Sequence, residues 1–383
     1  MDKIRYFDHA ATTAVKEEVL KEMLPYFSLE YGNASAMYSI GRRAKKAKEE
    51  ARKKVADVLN CKPNEIYFTS CGSESDNLAI KGIAYENRFK GNHIITSKIE
   101  HPAVLNTCKT LEKEGFKVTY LNVDETGLID LEELENAITS KTILITIMFA
   151  NNEIGTIEPI EEIGKIAKTH NIIFHTDAVQ AVGNIIIDVK KLNIDSLSMS
   201  AHKFYGPKGV GALYISEKIN FRKIQDGGHQ EQDKRAGTEN IAGIVGLGKA
   251  IELASNNLEE YNLNLSNFRD YFIDEITNKI KDVILNGHKE KRLPGNINLS
   301  FLGIDGGDLL LNLDAKGICA SAGSACSTGN PRPSHVLTAI GLPENIANGT
   351  LRITLGEDND KEDIDYLINN LIKTVNKLRK ETI

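Results

Sequence analysis

The sequence predicts an α/β protein with a large, mostly parallel sheet domain followed by a smaller α+β domain, and three observations carry that reading. From about residue 64 to 216, short β-branched runs alternate with longer amphipathic ones. The short runs are nearly continuous in apolar residues rather than alternating, as expected for parallel strands covered on both faces. Beyond Ile215 the pattern changes to long helical stretches mixed with isolated short strands.

The elements follow in order. Glu65–Ser70 reads as a strand leading into a helical pattern through Asn87, and His93–Ser97 leads into one over Pro102–Glu114. Lys117–Val123 precedes a helix over Leu131–Ile138, and Thr142–Phe149 precedes Ile160–His170. Ile172–Asp177 and Gly209–Ile215 supply further strands. Helical segments then run from Asn240 to Lys281, across a domain boundary near 260. Short strands at Val283–Asn286, Ile297–Phe301 and Leu351–Leu355 follow, and a helix over Glu362–Lys380 comes last. The charge-dense run Arg42–Lys54 mixes signs at i,i+4 spacing, so a solvated helix face is preferred over a docking surface.

Composition bounds the function. The chain has 383 residues, 41% of them hydrophobic and 26% charged, with a net charge of -6, which describes a soluble protein of two or three domains with proper cores. That balance offers no general attraction to nucleic acid or an anionic membrane, so any anion site must be built locally. The five cysteines, Cys61, Cys71, Cys108, Cys319 and Cys326, form no C-x-x-C pair, which argues against structural zinc. Charges at the start of the chain and the lack of an apolar stretch of about 18 residues predict a cytoplasmic protein whose cysteines stay as thiols.

Five segments could carry chemistry. Ser70-Cys71-Gly72-Ser73-Glu74-Ser75-Asp76-Asn77 follows a strand and opens a helix, so its amides and hydroxyl suit either a phosphate or a plain helix cap at Ser73, with Asp76 at capping-box spacing. His101 stands at a strand end just before Pro102. Asp177 closes a buried strand, where a carboxylate must cap the next element or pair with a cation. Lys203, after a buried strand and before Gly206, Gly209 and Gly211, has the setting of a Schiff-base lysine, with Ser200 and His202 beside it. Ala320–Ser334 is a run of small residues with Cys326 in the middle, which favours an exposed, reactive thiol. Arg352, inside a strand pattern, needs a carboxylate from the protein or a ligand. A phosphate cradle, a ring-nitrogen carboxylate, an amine, a carboxylate-binding arginine and a thiol together fit pyridoxal phosphate acting on an amino acid.

On these motifs the sequence resembles the NifS/IscS-like cysteine desulfurases of the class V aminotransferase group. The match runs from Asp8-His9-Ala10-Ala11-Thr12-Thr13 to Leu351-Arg352-Ile353-Thr354, with Ser200–Gly209 and Gly323-Ser324-Ala325-Cys326 its most diagnostic parts. The resemblance implies a fold-type I transferase with a seven-stranded sheet. Residues 13–260 would form the cofactor domain, and 1–12 with 261–383 the small domain carrying the cysteine loop. It implies that Lys203 holds pyridoxal phosphate and shuttles the Cα proton, Asp177 pairs with the ring nitrogen, Gln180 reaches the ring hydroxyl and His101 stacks on the ring. Gly72, Ser73, Ser200 and His202 would hold the phosphate, with Thr238 from a neighbouring subunit of a homodimer. Asn152 would serve cofactor and substrate, and Arg352, assisted by Asn33, would grip the carboxylate of L-cysteine. Cys326 would take the sulfur as a persulfide and pass it to an acceptor such as an iron–sulfur scaffold protein. No resident metal is implied, only transient contact of that persulfide with a cluster. Selenocysteine lyase is the competing enzyme reading, and Cys326 is the residue that discriminates.

Overall fold

The computed structural model describes residues 3–322 and 333–381. The strands in chain order are β1 (Arg5–Tyr6), β2 (Ile66–Thr69), β3 (His93–Ser97), β4 (Lys117–Leu121), β5 (Thr142–Thr146), β6 (Ile173–Asp177), β7 (Ser196–Ser200), β8 (Gly211–Ile215), β9 (Val283–Leu285), β10 (Asn296–Phe301), β11 (Ile318–Cys319), β12 (Ser321–Ala322) and β13 (Thr350–Thr354). A seven-stranded sheet has the order β2-β8-β7-β6-β5-β3-β4. Its pairings are parallel from β4 through β7, while β8 runs antiparallel to both β7 and β2. Every residue of β2, β3, β7 and β8 is buried, which explains the largely apolar runs of β2 and β8, while β7 alternates Ser196, Ser198 and Ser200 with Leu197 and Met199. Edge strand β4 is half-open and starts on exposed Lys117.

Because the strands other than β8 point the same way, their C-terminal ends share one edge of the sheet, where open α/β sheets bind ligands. The Gly72–Asn87 helix lies across β5 to β8 and buries Leu78, Ala79, Ile80 and Ile83 against them. A second core forms around the antiparallel sheet β12-β13-β10-β9. Helices Leu258–Lys279 and Lys361–Glu381 pack there on Phe7, Phe272, Phe301 and Leu351. Strand β1 joins this body by pairing with β11, so the N-terminal segment leads from the small sheet straight to the large one.

The charge-dense helix, Ser39–Leu59, corrects part of the sequence reading. Ala44, Ala47, Ala51, Val55 and Leu59 form its buried stripe, but Lys48 and Arg52 are buried too. They pair with Glu231 and Glu239 rather than facing water. Ser73 is likewise not a helix cap: Cys71 holds that position, with no side-chain capping bond.

Candidate active site

The ends of β2, β3, β6 and β7 deliver the predicted residues to one place. The turn after β2 leads into Gly72, with no room for a side chain: a Cβ there would sit 2.6 Å from Cγ2 of Val179 and 3.6 Å from Cβ of Ser200. The first-turn amides of this helix make no intrahelical bond, as at any helix N-terminus, and present a positive dipole end. Ser200 is buried, and its hydroxyl has no hydrogen-bond partner among the described residues. Ser73 is exposed in the same first turn, and the half-buried His202 accepts or donates through Nδ1 to Thr12, 3.1 Å away. Burial, followed by the charges of Lys203 and Lys208, lowers the His202 pKa to about 4, so the ring is neutral at physiological pH.

Lys203 is set by a clamped turn. Thr13 donates its hydroxyl to the His202 carbonyl and accepts from the Tyr205 amide, while Tyr205 itself adopts φ +63°. A bulky residue in the left-handed region is strained, and such strain gathers at functional sites. The Lys203 amine donates to the carbonyls of Ala10 and Ala11, and Gln180 donates to the same Ala10 carbonyl at 3.0 Å. Asp177 ends β6, where it accepts from the Val179 amide at 2.9 Å. Both earlier readings of Asp177 thus hold in part, since it closes a turn and also feels the cations around it. Burial raises its pKa, while His101, the Val179 amide and Lys203 pull it back. His101 caps the Pro102–Lys113 helix, accepting from the Ala103 amide. Its ring reaches solvent at the mouth of the cleft, yet surrounding protein lowers its pKa by desolvation, with Lys203 and His335 acting the same way against Asp177.

Arg352, on β13, enters from the other core and is 2% exposed. The carboxylate that its burial demands is Asp8, at 2.8 Å, and its Nη1 donates to the Asn152 carbonyl at 3.1 Å. Its Nε has no hydrogen-bond partner among the described residues, and each Nη keeps one N–H beyond these contacts. Asp8 also accepts from Ser321, the residue opposite Arg352 in the β12–β13 ladder.

Two predicted residues stand apart among the described ones. Asn33 lies in an exposed turn and bonds the Ser35 amide. Thr238 lies in an exposed loop, three residues beyond Arg235, which is bound to Glu74 at 2.6 Å. Cys326 lies outside the described residues. Of the other thiols, burial pushes Cys61 and Cys108 up to about 12 and raises Cys319 as well, which makes them poor nucleophiles. The sequence reading missed Asp8 and the Glu74–Arg235 pair, and it took Asp76 only as the capping partner of Ser73. Asp76 carried a legible signal, a carboxylate on the buried stripe of an otherwise apolar helix with Ile80 and Ile83.

Residues 5–367 match the family model described as aminotransferase class-V. The chain belongs to the class-V aminotransferase family. It is 58% identical over 382 residues to a cysteine desulfurase IscS of Clostridium botulinum, covering 99% of this chain and 96% of that one. It is 56% identical to a cysteine desulfurase IscS of Methanosarcina thermophila, covering 99% and 93%. Among solved structures, a NifS-like protein aligns with a TM-score of 0.92 at 39% identity, over 98% of this chain and all of that one. Another, SspA in complex with cysteine, aligns with a TM-score of 0.81 at 42% identity over 92% and 98%. Class-V aminotransferases and cysteine desulfurases use pyridoxal phosphate, and the residues here fit it. The side-chain-free cradle at Gly72 beside the orphaned Ser200 hydroxyl suits a phosphate, and Asp177 with Lys203 suits a ring nitrogen and an aldehyde.

Proposed function

We propose that this protein is a cysteine desulfurase, taking sulfur from L-cysteine, releasing L-alanine and carrying the sulfur as a persulfide on Cys326. The observation that carries the reading is the convergence of Lys203, Asp177 and His101 at one sheet edge with Arg352 entering from the second core. Bound pyridoxal phosphate would supply the electron sink that lets the substrate lose its Cα proton. In this reading Gly72, Ser73, Ser200 and His202 would hold the phosphate, Asp177 would pair with the ring nitrogen, Gln180 would reach the ring hydroxyl, and Asn152 would serve cofactor and substrate. Arg352 holds the substrate carboxylate through the donors that Asp8 and Asn152 leave available, with Asn33 assisting from its turn. The Lys203 amine takes the Cα proton, and neutral His101 is suited to move a proton at the mouth of the cleft. The Cys326 thiolate attacks the substrate sulfur: the S–S bond forms, the Cβ–S bond breaks with its electron pair going to carbon, that carbon takes a proton to become the methyl of alanine, and Lys203 returns the proton to Cα.

The persulfide then goes to an acceptor protein for iron–sulfur cluster assembly or related thio-cofactors. Exposed Thr238 reaches the neighbouring phosphate site of a cytoplasmic homodimer, while Arg235 ties the same loop to the cradle helix of its own chain through Glu74. No helix among the described residues is long and apolar enough to cross a membrane. The division into 13–260 and 1–12 with 261–383 belongs to the same reading, supported by two of the apolar cores, although a smaller cluster joins Ile99, Met148 and Ile154 to Val336 and Leu337. The test is to incubate the protein with pyridoxal phosphate and L-cysteine, measuring alanine, sulfide and a sulfur adduct on Cys326 by mass spectrometry. Equal alanine and sulfide, with the adduct lost in Cys326→Ala, is the expected result. Wild-type turnover by Cys326→Ala would overturn the persulfide step, and so would an adduct on another thiol.

A further inference from the structure

Behind Asp177 lies a second buried carboxylate for which the reaction has no use. Asp76 projects from the second turn of the Gly72–Asn87 helix onto the sheet and is 1% exposed. One ligand-type atom each of Asp76, Asp177 and His101 lie within 4.8 Å of one another. That spacing is too close for two ionised carboxylates in a dry site unless a strong cation lies between them. The nearest ring behind Asp76 is His175, whose Nε2 is 3.8 Å from Asp76 Oδ1. His175 is fully buried, and both of its nitrogens face hydroxyls: Thr146 at 2.8 Å and Ser198 at 3.0 Å. Burial holds this ring neutral, with its pKa pulled down to about 3, so it supplies no positive charge.

The remaining neighbours of Asp76 do not help it ionise. Burial first, then Asp177, Glu100 and Cys71, disfavour a charge on it, against the pull of the Ser198 hydroxyl. Asp76 Oδ1 is buried without a hydrogen-bond partner among the described residues, a costly state for an ionised oxygen and a milder one for a protonated group. The register of the sheet completes the picture. Thr146 stands opposite His175 on β5 and β6, and Asp177 stands opposite Ser198 on β6 and β7. The four residues therefore occupy one patch of the sheet, roofed by Asp76.

We propose that Asp76 is a positioning residue that keeps its proton, and that Thr146, His175, Ser198 and Asp76 form a buried chain fixing Asp177 as the ionised carboxylate that faces the cofactor ring. This rests on the pyridoxal phosphate reading above, in which Asp177 must stay negative and aimed. A neutral Asp76 achieves both ends, since it adds no competing charge and offers an O–H toward Asp177. In this proposal His175 is the Nε2–H tautomer, so that the Thr146 hydroxyl donates to Nδ1, Nε2–H donates to Ser198, and the Ser198 hydroxyl is left to donate to Asp76.

Infrared difference spectroscopy of apo and cofactor-loaded protein at pH 8, comparing wild type with Asp76→Asn, tests the proton directly. The expected result is a protonated-carboxyl C=O band that Asp76→Asn removes, while Glu100→Gln leaves that band in place. Cofactor affinity, read from the visible band on titration with pyridoxal phosphate, tests the positioning. Asp76→Asn, which keeps a neutral donor, should bind within about threefold of wild type, and Asp76→Leu, which has none, should bind about tenfold or more weakly. If Asp76→Asn removes no carboxyl band or weakens binding as much as Asp76→Leu, Asp76 is ionised and the proposal fails. Wild-type affinity in Asp76→Leu would remove the positioning role. Should Asp76→Leu not fold, the band and the affinity of Asp76→Asn still decide. If wild type forms no visible band at all, the cofactor reading fails instead, and the infrared result on apo protein still reports on Asp76.

Discussion

Replacing Arg52 with methionine should destabilise the protein by about 3–5 kcal/mol, because it strands a charge that the fold cannot hydrate. The Arg52 guanidinium holds Glu231 by two bonds of 2.7 Å each, and the pair is 4% and 1% exposed at its side chains. Glu231 also accepts from the Phe68 amide at 2.8 Å. These contacts hold a segment that resists its own conformation: Glu231, Gln232 and Asp233 have φ of +45°, +59° and +62°. Left-handed backbone costs roughly 1–2 kcal/mol per residue, so the three together oppose folding by about 3–6 kcal/mol. Burial pushes the Glu231 pKa up, but hydrogen bonds and charge from Arg52, the Phe68 amide and Lys48 outweigh it and hold the group below its ordinary 4.5. With a depressed folded pKa, this contribution is fully present above pH 4.5 and lost as pH falls through the folded value. Urea unfolding followed by circular dichroism is the assay, since the sequence holds no tryptophan. Arg52→Met should lose the stated amount and flatten the acid side of the stability profile. Arg52→Met/Glu231→Leu, which removes the buried pair and leaves Lys48 to Glu239 but orphans the Phe68 amide and the Ile66 carbonyl, should lose only about 1–3 kcal/mol. A single-variant loss under about 1 kcal/mol, or a double variant worse than the single, would refute the argument.

Three further outcomes follow from the site and its surroundings. Gly72→Ala places a Cβ 2.6 Å from Val179 Cγ2, and overpacking of about 1–3 kcal/mol should weaken pyridoxal phosphate binding by about 5- to 150-fold, measured by its visible band. Arg352→Lys keeps charge but loses the planar fork held by Asp8 and Asn152, so KM for L-cysteine in an alanine-release assay should rise by about tenfold or more, with kcat changing less. Burial raises Glu158 from 4.5 to about 8, so the folded state holds an extra proton between those values and loses stability as pH rises through them. Glu158→Gln should remove that decline, and urea midpoints at pH 5 and pH 9 check it.

The strands that build the site were legible because burial on both faces leaves a plain mark, an unbroken apolar run, as in β3 and β8. Lys203, Asp177 and Gly72 were legible for the opposite reason, as residue types out of place at the ends of such runs. Arg352 was half legible. A buried arginine announces a carboxylate, but nothing local names Asp8, 344 residues away along the chain. The Arg42–Lys54 run misled at Lys48 and Arg52, because helical spacing cannot tell a charge facing water from one facing a carboxylate brought in by Glu231.

What the sequence determined by itself was the set of chemical parts and the alternation that places them at strand ends, since both follow from side-chain type and short-range period. What only the tertiary structure decided was which parts meet. Asp8 closes on Arg352, Asp76 comes to lie behind Asp177, and Glu74 ties down the loop of Thr238. Each of these pairings joins segments far apart in sequence, and strand register and the docking of one helix on the sheet select it. Burial then raises the pKa of Asp76 and of Asp177, which no local pattern encodes.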